Sequence, residues 1–141
     1  MRDEQWLMLY RNQKKNDVNT GKWIGVGGKK EPGETFEECA MREVKEETGF
    51  SIQNLSYCGE VYFYQDNILT EYIRIYQCNE FTGEMISCDE GTLKWISKNQ
   101  LMNLSLWDGD RIFMKEMLEG ESEVFSLRLY YDADGELMRV G

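Results

Sequence analysis

Hydrophobic residues fall into short apolar runs separated by polar turns, with two stretches of helical spacing among them. Glu4–Arg11 (EQWLMLYR) predicts a short strand, and residues 12–22 (NQKKNDVNTGK) predict a polar loop of turn formers. Residues 23–28 (WIGVGG) enter a glycine-rich bend whose backbone can approach a ligand closely. From Thr35 the pattern turns helical. Thr35 and Glu38 form a T-x-x-E capping box, the run to Thr48 contains neither Gly nor Pro, and Gly49 supplies the stop, so a helix is predicted over 36–48. Residues 57–64 (YCGEVYFY) and 71–78 (EYIRIYQC) are rich in aromatic and β-branched residues and predict paired strands around a turn at 65–70. Residues 93–96 add a short strand. A second helix is predicted over 108–118, ended by Gly120, and 124–131 with 136–140 predict a terminal hairpin around Asp132-Ala133-Asp134-Gly135. Strands interleaved with two helices predict an α/β fold with a mixed sheet.

At 141 residues, with no internal repeat or low-complexity tract, the chain is expected to form one domain, 1–141, around one active site. Its 41% hydrophobic and 13% aromatic content fits a folded globular chain. The formal charge of −10, from 26 acidic and 16 basic residues, argues against a nucleic-acid polymer as partner. With no histidine and no C-x-x-C pair among four cysteines, zinc ribbons, C2H2 fingers and Ser-His-Asp or Cys-His catalysis are excluded, and the thiols are expected to be packed and reduced. The absence of a signal-like or membrane-length apolar run makes a cytoplasmic protein without membrane attachment the expectation. Acid–base work then falls to Glu, Asp, Lys, Tyr or metal-bound water.

On the predicted helix Glu43, Glu46 and Glu47 stand at i, i+3 and i+4, within an arc of roughly 100°. Such a cluster repels itself, and carboxylate oxygens are the ligands that Mg²⁺ or Mn²⁺ prefers. Taken alone, the three are also read as a solvated helix face paired with Arg42 or Lys45. The wider pattern decides between these readings. Gly28, Glu34, Arg42, Glu43, Val44, Glu46, Glu47, Gly49 and Phe50 fill every fixed position of G-x5-E-x7-R-E-U-x-E-E-x-G-U, the box of the Nudix hydrolases, which the chain resembles over residues 28–50. A chance match at one starting point is on the order of 10⁻⁹. A looser resemblance to MutT-type members runs from Trp23 to Asp110.

The resemblance implies a Nudix-fold α/β/α sandwich with a mixed β-sheet, and Mg²⁺ (or Mn²⁺) held by Glu43, Glu46, Glu47, Glu90 and a backbone carbonyl of Gly27 or Gly28. Arg42 and Glu34 would orient the glutamates. Glu47 or Glu90 would be the base, with Glu46 a ligand beside it. Lys29 or Arg11 is a candidate for phosphate contact, the alternative for each being plain surface charge. The stretch Trp107-Asp108-Gly109-Asp110 is similar to the Trp-x-x-Asp element of oxidised-purine hydrolases, so Trp107 would stack on a base and Asp110 hydrogen-bond its edge. The alternative is a core tryptophan at a helix start with Asp108 or Asp110 as N-terminal cap. These assignments imply hydrolysis of 8-oxo-dGTP or a related purine triphosphate to the monophosphate and pyrophosphate, by a monomer or homodimer. Two departures bear on this. Ile24 stands where some relatives carry a base-reading asparagine, and a strand that relatives usually have ahead of residue 4 is not seen. The rival readings are a hydrolase of dinucleoside polyphosphates, ADP-ribose or nucleotide sugars, and a Nudix-fold module that binds nucleotide without cutting it.

Overall fold

The computed structural model describes residues 5–11, 21–27, 30–87, 91–119 and 124–141. They gather in two compact units, Met1–Leu55 with Cys78–Leu106 and Ser56–Gln77 with Trp107–Gly141.

In the first unit, strand β1 (Gln5–Tyr10) is the centre of an antiparallel three-stranded sheet in the order β2-β1-β7, with β2 at Trp23–Ile24 and β7 at Thr92–Ser97. Alternation along β1 sends Trp6 and Met8 inward, and Leu9 is also fully buried. The closeness of β1 and β7 explains one glycine: a Cβ on Gly91 would run into the carbonyl oxygen of Tyr10. Helix α1 (Phe36–Thr48) has the expected capping box, with the Thr35 hydroxyl accepting from Glu38 N and the Glu38 carboxylate accepting from Thr35 N. It stops at Gly49, whose φ of 86° lies in the left-handed region. Two short strands absent from the sequence reading, β3 (Ser51–Gln53) and β6 (Glu80–Thr82), pair antiparallel just beyond α1. At three residues each they are too short to carry a periodic pattern. A 3₁₀ helix, Lys98–Asn103, also escaped it, and buries Leu101.

In the second unit, β4 (Ser56–Gln65) and β5 (Ile68–Gln77) form a hairpin. Its turn is shorter than the 65–70 expected. Asp66 and Asn67, at φ of 52° and 63°, make a two-residue connection, because Asp and Asn tolerate the positive φ that such hairpins require. Strand β8 (Phe125–Tyr131) pairs parallel with β4, and β9 (Leu137–Val140) antiparallel with β8, giving the mixed sheet β5-β4-β8-β9. Helix α2 (Asp108–Glu119) supplies Phe113 and Met114 to a buried cluster that includes Val61 and Leu129. The stretch 23–28, read from the sequence as a glycine-rich bend, begins with the two-residue strand Trp23–Ile24. Among the described residues no helix is long and apolar enough to cross a membrane.

Candidate active site

The end of α1 is tied down by chemistry other than charge. Thr48 is fully buried, its hydroxyl donating to the Val44 carbonyl at 2.6 Å and accepting from Phe50 N at 3.0 Å. Phe50 then packs on Phe81 and Trp95, with ring centroids 4.9 and 6.2 Å away. A Cβ at Gly49 would strike the carbonyl oxygen of Glu84. The helix therefore has a fixed rotation, and with it the direction of its glutamates.

One arginine organises the opposite face. Arg42 grips Glu34 with two parallel bonds, Nη2 to Oε1 at 2.8 Å and Nε to Oε2 at 3.1 Å. Its Nη1 reaches Glu43 Oε1 at 2.7 Å and Glu46 Oε2 at 3.3 Å, with Glu31 at 3.7 Å. Glu34 also accepts the backbone N–H of Glu31 at 2.7 Å. The Arg42 guanidinium and that N–H hold the Glu34 carboxyl well below its ordinary range, at about 2. Glu34 in turn raises the Arg42 pKa, so this cation does not titrate. Burial pushes up the thiol of Cys39, which lies against Glu34, and keeps it protonated. Glu47 accepts the backbone N–H of Gly27 at 3.3 Å, which brings the glycine bend to the acidic helix face.

Glu34, Arg42, Glu43, Glu46, Glu47 and Gly27 are thus assembled on the first unit. Gly28, Lys29 and Glu90 lie outside the described residues. Arg11 is half-buried, and its backbone bonds Lys22 and Gly21 as β1 ends. As a donor set for a divalent ion the cluster is chemically apt, being all hard oxygen with Glu43 largely sheltered. Among the described residues no three carboxylates already converge as a metal cage, and Arg42 bonds two of the helix glutamates.

The second unit carries Trp107 and Asp110. Trp107 is half-buried and its carbonyl accepts from Arg111 N at 3.0 Å, starting α2. Asp108 and Asp110 therefore sit inside the first turn instead of capping it, as the alternative reading required. Asp110 is half-buried. Burial, reinforced by the Glu71 carboxylate, pushes its carboxyl up to about 7. Beside it, the Tyr131 hydroxyl accepts from Gly109 N at 2.9 Å and is pushed up to about 12, chiefly by burial. Glu31 and Glu71 are the residues that sequence reasoning missed. Glu31 acts through its backbone, and Glu71 through a strand that only the folded sheet sets against α2.

With this geometry in view, comparison with known proteins assigns the class. The NUDIX domain model matches residues 1–117. The chain belongs to the Nudix family: it has a mixed α/β Nudix fold and is a hydrolase acting on pyrophosphate bonds. It is 31% identical over 108 residues to the oxidized purine nucleoside triphosphate hydrolase of Danio rerio, covering 75% of this chain and 69% of that protein. It is also 31% identical over 124 residues to the uncharacterized Nudix hydrolase YvcI of Bacillus subtilis, covering 84% and 75%. Among solved structures it resembles a MutT protein from Bacillus halodurans, with a TM-score of 0.84 at 27% identity, covering 100% of this chain and 91% of that one. Nudix proteins typically use a divalent metal.

Proposed function

We propose that the chain, acting as one Nudix domain over 1–141, hydrolyses a purine nucleoside triphosphate, 8-oxo-dGTP or a close relative, to the nucleoside monophosphate and pyrophosphate. Its role would be to clear damaged nucleotides from the precursor pool. The observation that carries the chemical part is the Arg42 brace, one guanidinium that fixes Glu34 and touches Glu43 and Glu46 on the helix that bears Glu47. The name of the Danio rerio relative, an oxidized purine nucleoside triphosphate hydrolase, supports the substrate part.

In this reading Glu43, Glu46 and Glu47, with Glu90 and the Gly28 carbonyl, hold Mg²⁺ or Mn²⁺. Bound there, the metal neutralises diphosphate oxygens and lowers the pKa of water. Arg42 holds Glu43 and Glu46 in place, and Glu34 anchors Arg42. The attacking water loses its proton to Glu47 or Glu90 as it adds to phosphorus, and the P–O–P bond breaks with its electron pair on the departing phosphate oxygen. Lys29 and Arg11 serve the phosphates. Trp107 stacks on the base, and Asp110, with its carboxyl at about 7, can donate as well as accept a hydrogen bond near neutral pH.

The test is a panel of 8-oxo-dGTP, dGTP, ADP-ribose and a dinucleoside polyphosphate with Mg²⁺, scoring pyrophosphate against other products. The substrate assignment fails if the two triphosphates turn over no faster than ADP-ribose. Glu47→Gln should lose turnover while still binding nucleotide. A wild type inactive on every diphosphate would instead favour a binding module.

A further inference from the structure

The net charge of −10 is unevenly distributed. One face of the mixed sheet buries Val61 and Leu129, and the other carries six of the chain's eight tyrosines. Strand register places them in rows: Tyr57 opposite Tyr76, Arg74-Glu60-Ser126, Tyr72-Tyr62-Arg128, and Tyr64-Tyr130-Arg139. The rings touch. Tyr62 and Tyr72 lie 4.7 Å apart, Tyr64 stacks on Tyr130 at 4.7 Å and 14°, and Tyr57 meets Tyr76 at 5.5 Å.

Three arginines cross this face diagonally, and each lies over a ring. Arg139 is 4.0 Å from the centre of Tyr130, Arg128 is 4.9 Å from Tyr62, and Arg74 is 5.9 Å from Tyr57. All three are exposed, and neither Arg128 nor Arg139 has a carboxylate partner among the described residues. Among the described residues that strand register puts in these rows Glu60 is the one acid, and it is occupied by the hydroxyls of Tyr72 at 2.7 Å and Ser126 at 2.9 Å, while Asp66 and Asp132 border a cleft with Tyr130 and Arg139 at the edge of the face. With strands about 4.8 Å apart and same-face residues about 7 Å apart along each, the arginine diagonal is roughly 20 Å long.

We infer that this tyrosine–arginine face, none of whose residues is assigned to the proposed hydrolytic site, is a docking surface for single-stranded nucleic acid. A single strand offers both things this face can take up: a line of phosphates for guanidiniums that lie over rings, and bases to lie on tyrosines. An acidic peptide would use the cations and leave the aromatic rows unused. A second copy of the chain would set arginines against arginines. The exclusion of a polymer drawn from net charge applies to the chain as a whole and not to this face, although the remaining charge keeps binding weak and salt-sensitive.

The test is fluorescence anisotropy of a labelled oligonucleotide of about 12 nucleotides, free of terminal phosphates, with the full chain and with the Arg128→Gln/Arg139→Gln double variant. The wild type should bind the single strand more tightly than the matching duplex. Its affinity should fall with salt at a log–log slope of about −2, from three contacts at about 0.7 each. The double variant should bind about tenfold more weakly with a slope of about −0.7, and hydrolyse nucleotides at the wild-type rate. Four results would overturn the inference: no binding up to about 10⁻⁴ M at low salt, equal affinity in the double variant, equal affinity for polyglutamate of matched charge, or sedimentation showing that the wild type self-associates and the variant does not.

Discussion

Asp110 makes the stability of this protein depend on pH in the direction opposite to most carboxylates. Its carboxyl moves from an ordinary 3.8 to about 7 on folding, because burial and the Glu71 carboxylate both disfavour the charged form. The folded state thus binds this proton more tightly than the unfolded chain does. The resulting stability is fully present below pH 3.8 and is lost as pH rises through 7. At about 1.36 kcal/mol per pH unit between the two values, the full span is about 4 kcal/mol, of which about 2.5 kcal/mol is lost between roughly pH 5 and pH 8. Glu34 runs the other way, since its lowered carboxyl favours folding above its ordinary value of 4.5 and loses that contribution towards about 2. The two windows do not overlap above 4.5. Urea unfolding of wild type and Asp110→Asn across pH 5 to 8 reads the difference, because the amide imitates the neutral acid and does not titrate. The variant's advantage should grow with pH by about 2.5 kcal/mol, or some 5 to 10 °C in Tm for a chain of this size. A wild-type-minus-variant difference that stays flat from pH 5 to pH 8 refutes the assignment of a raised pKa to Asp110.

Two further outcomes follow from named contacts. Arg42→Lys leaves one ammonium to do the work of a two-pronged grip on Glu34 plus bonds to Glu43 and Glu46, so kcat/KM with Mg²⁺ should fall by about 10- to 100-fold; a value within twofold of wild type removes Arg42 from the positioning role. Gly91→Ala places a Cβ on the Tyr10 carbonyl and should cost at least about 1–3 kcal/mol in denaturant melts, whereas the same change at Gly25, with open space around it, should cost far less.

Much of this architecture was legible because the signals were local. The Thr35–Glu38 box and Gly49 specify both ends of α1 through their own backbone bonds, and the aromatic, β-branched runs specify β4, β5 and β8. Strands β3 and β6 were not legible, since three residues hold less than two periods and their pairing depends on partners about 30 positions apart. The hairpin turn expected at 65–70 is two residues long, because Asp66 and Asn67 adopt the positive φ of a tight connection and Ile68 and Leu69 continue β5 by backbone pairing with β4 while 67% and 50% exposed. At the site, the box located Glu34, Arg42 and the three glutamates. That Arg42 reaches forward to Glu43 and Glu46 as well as back to Glu34 is a matter of side-chain direction, which spacing alone does not carry. The tyrosine–arginine face was hidden for a related reason: its members come from four strands, and only register aligns them.

The bond from Arg42 to both Glu43 and Glu46 also bears on how the protein can be handled. A resident guanidinium already offsets part of the repulsion along the acidic helix, so α1 does not depend on an added ion to stay wound. Chelated protein should therefore keep its fold, which far-UV circular dichroism with and without chelator would check, and should allow titration from a metal-free start. In the proposed reading, calorimetry of that titration would measure an ion entering a cluster whose repulsion Arg42 already offsets in part.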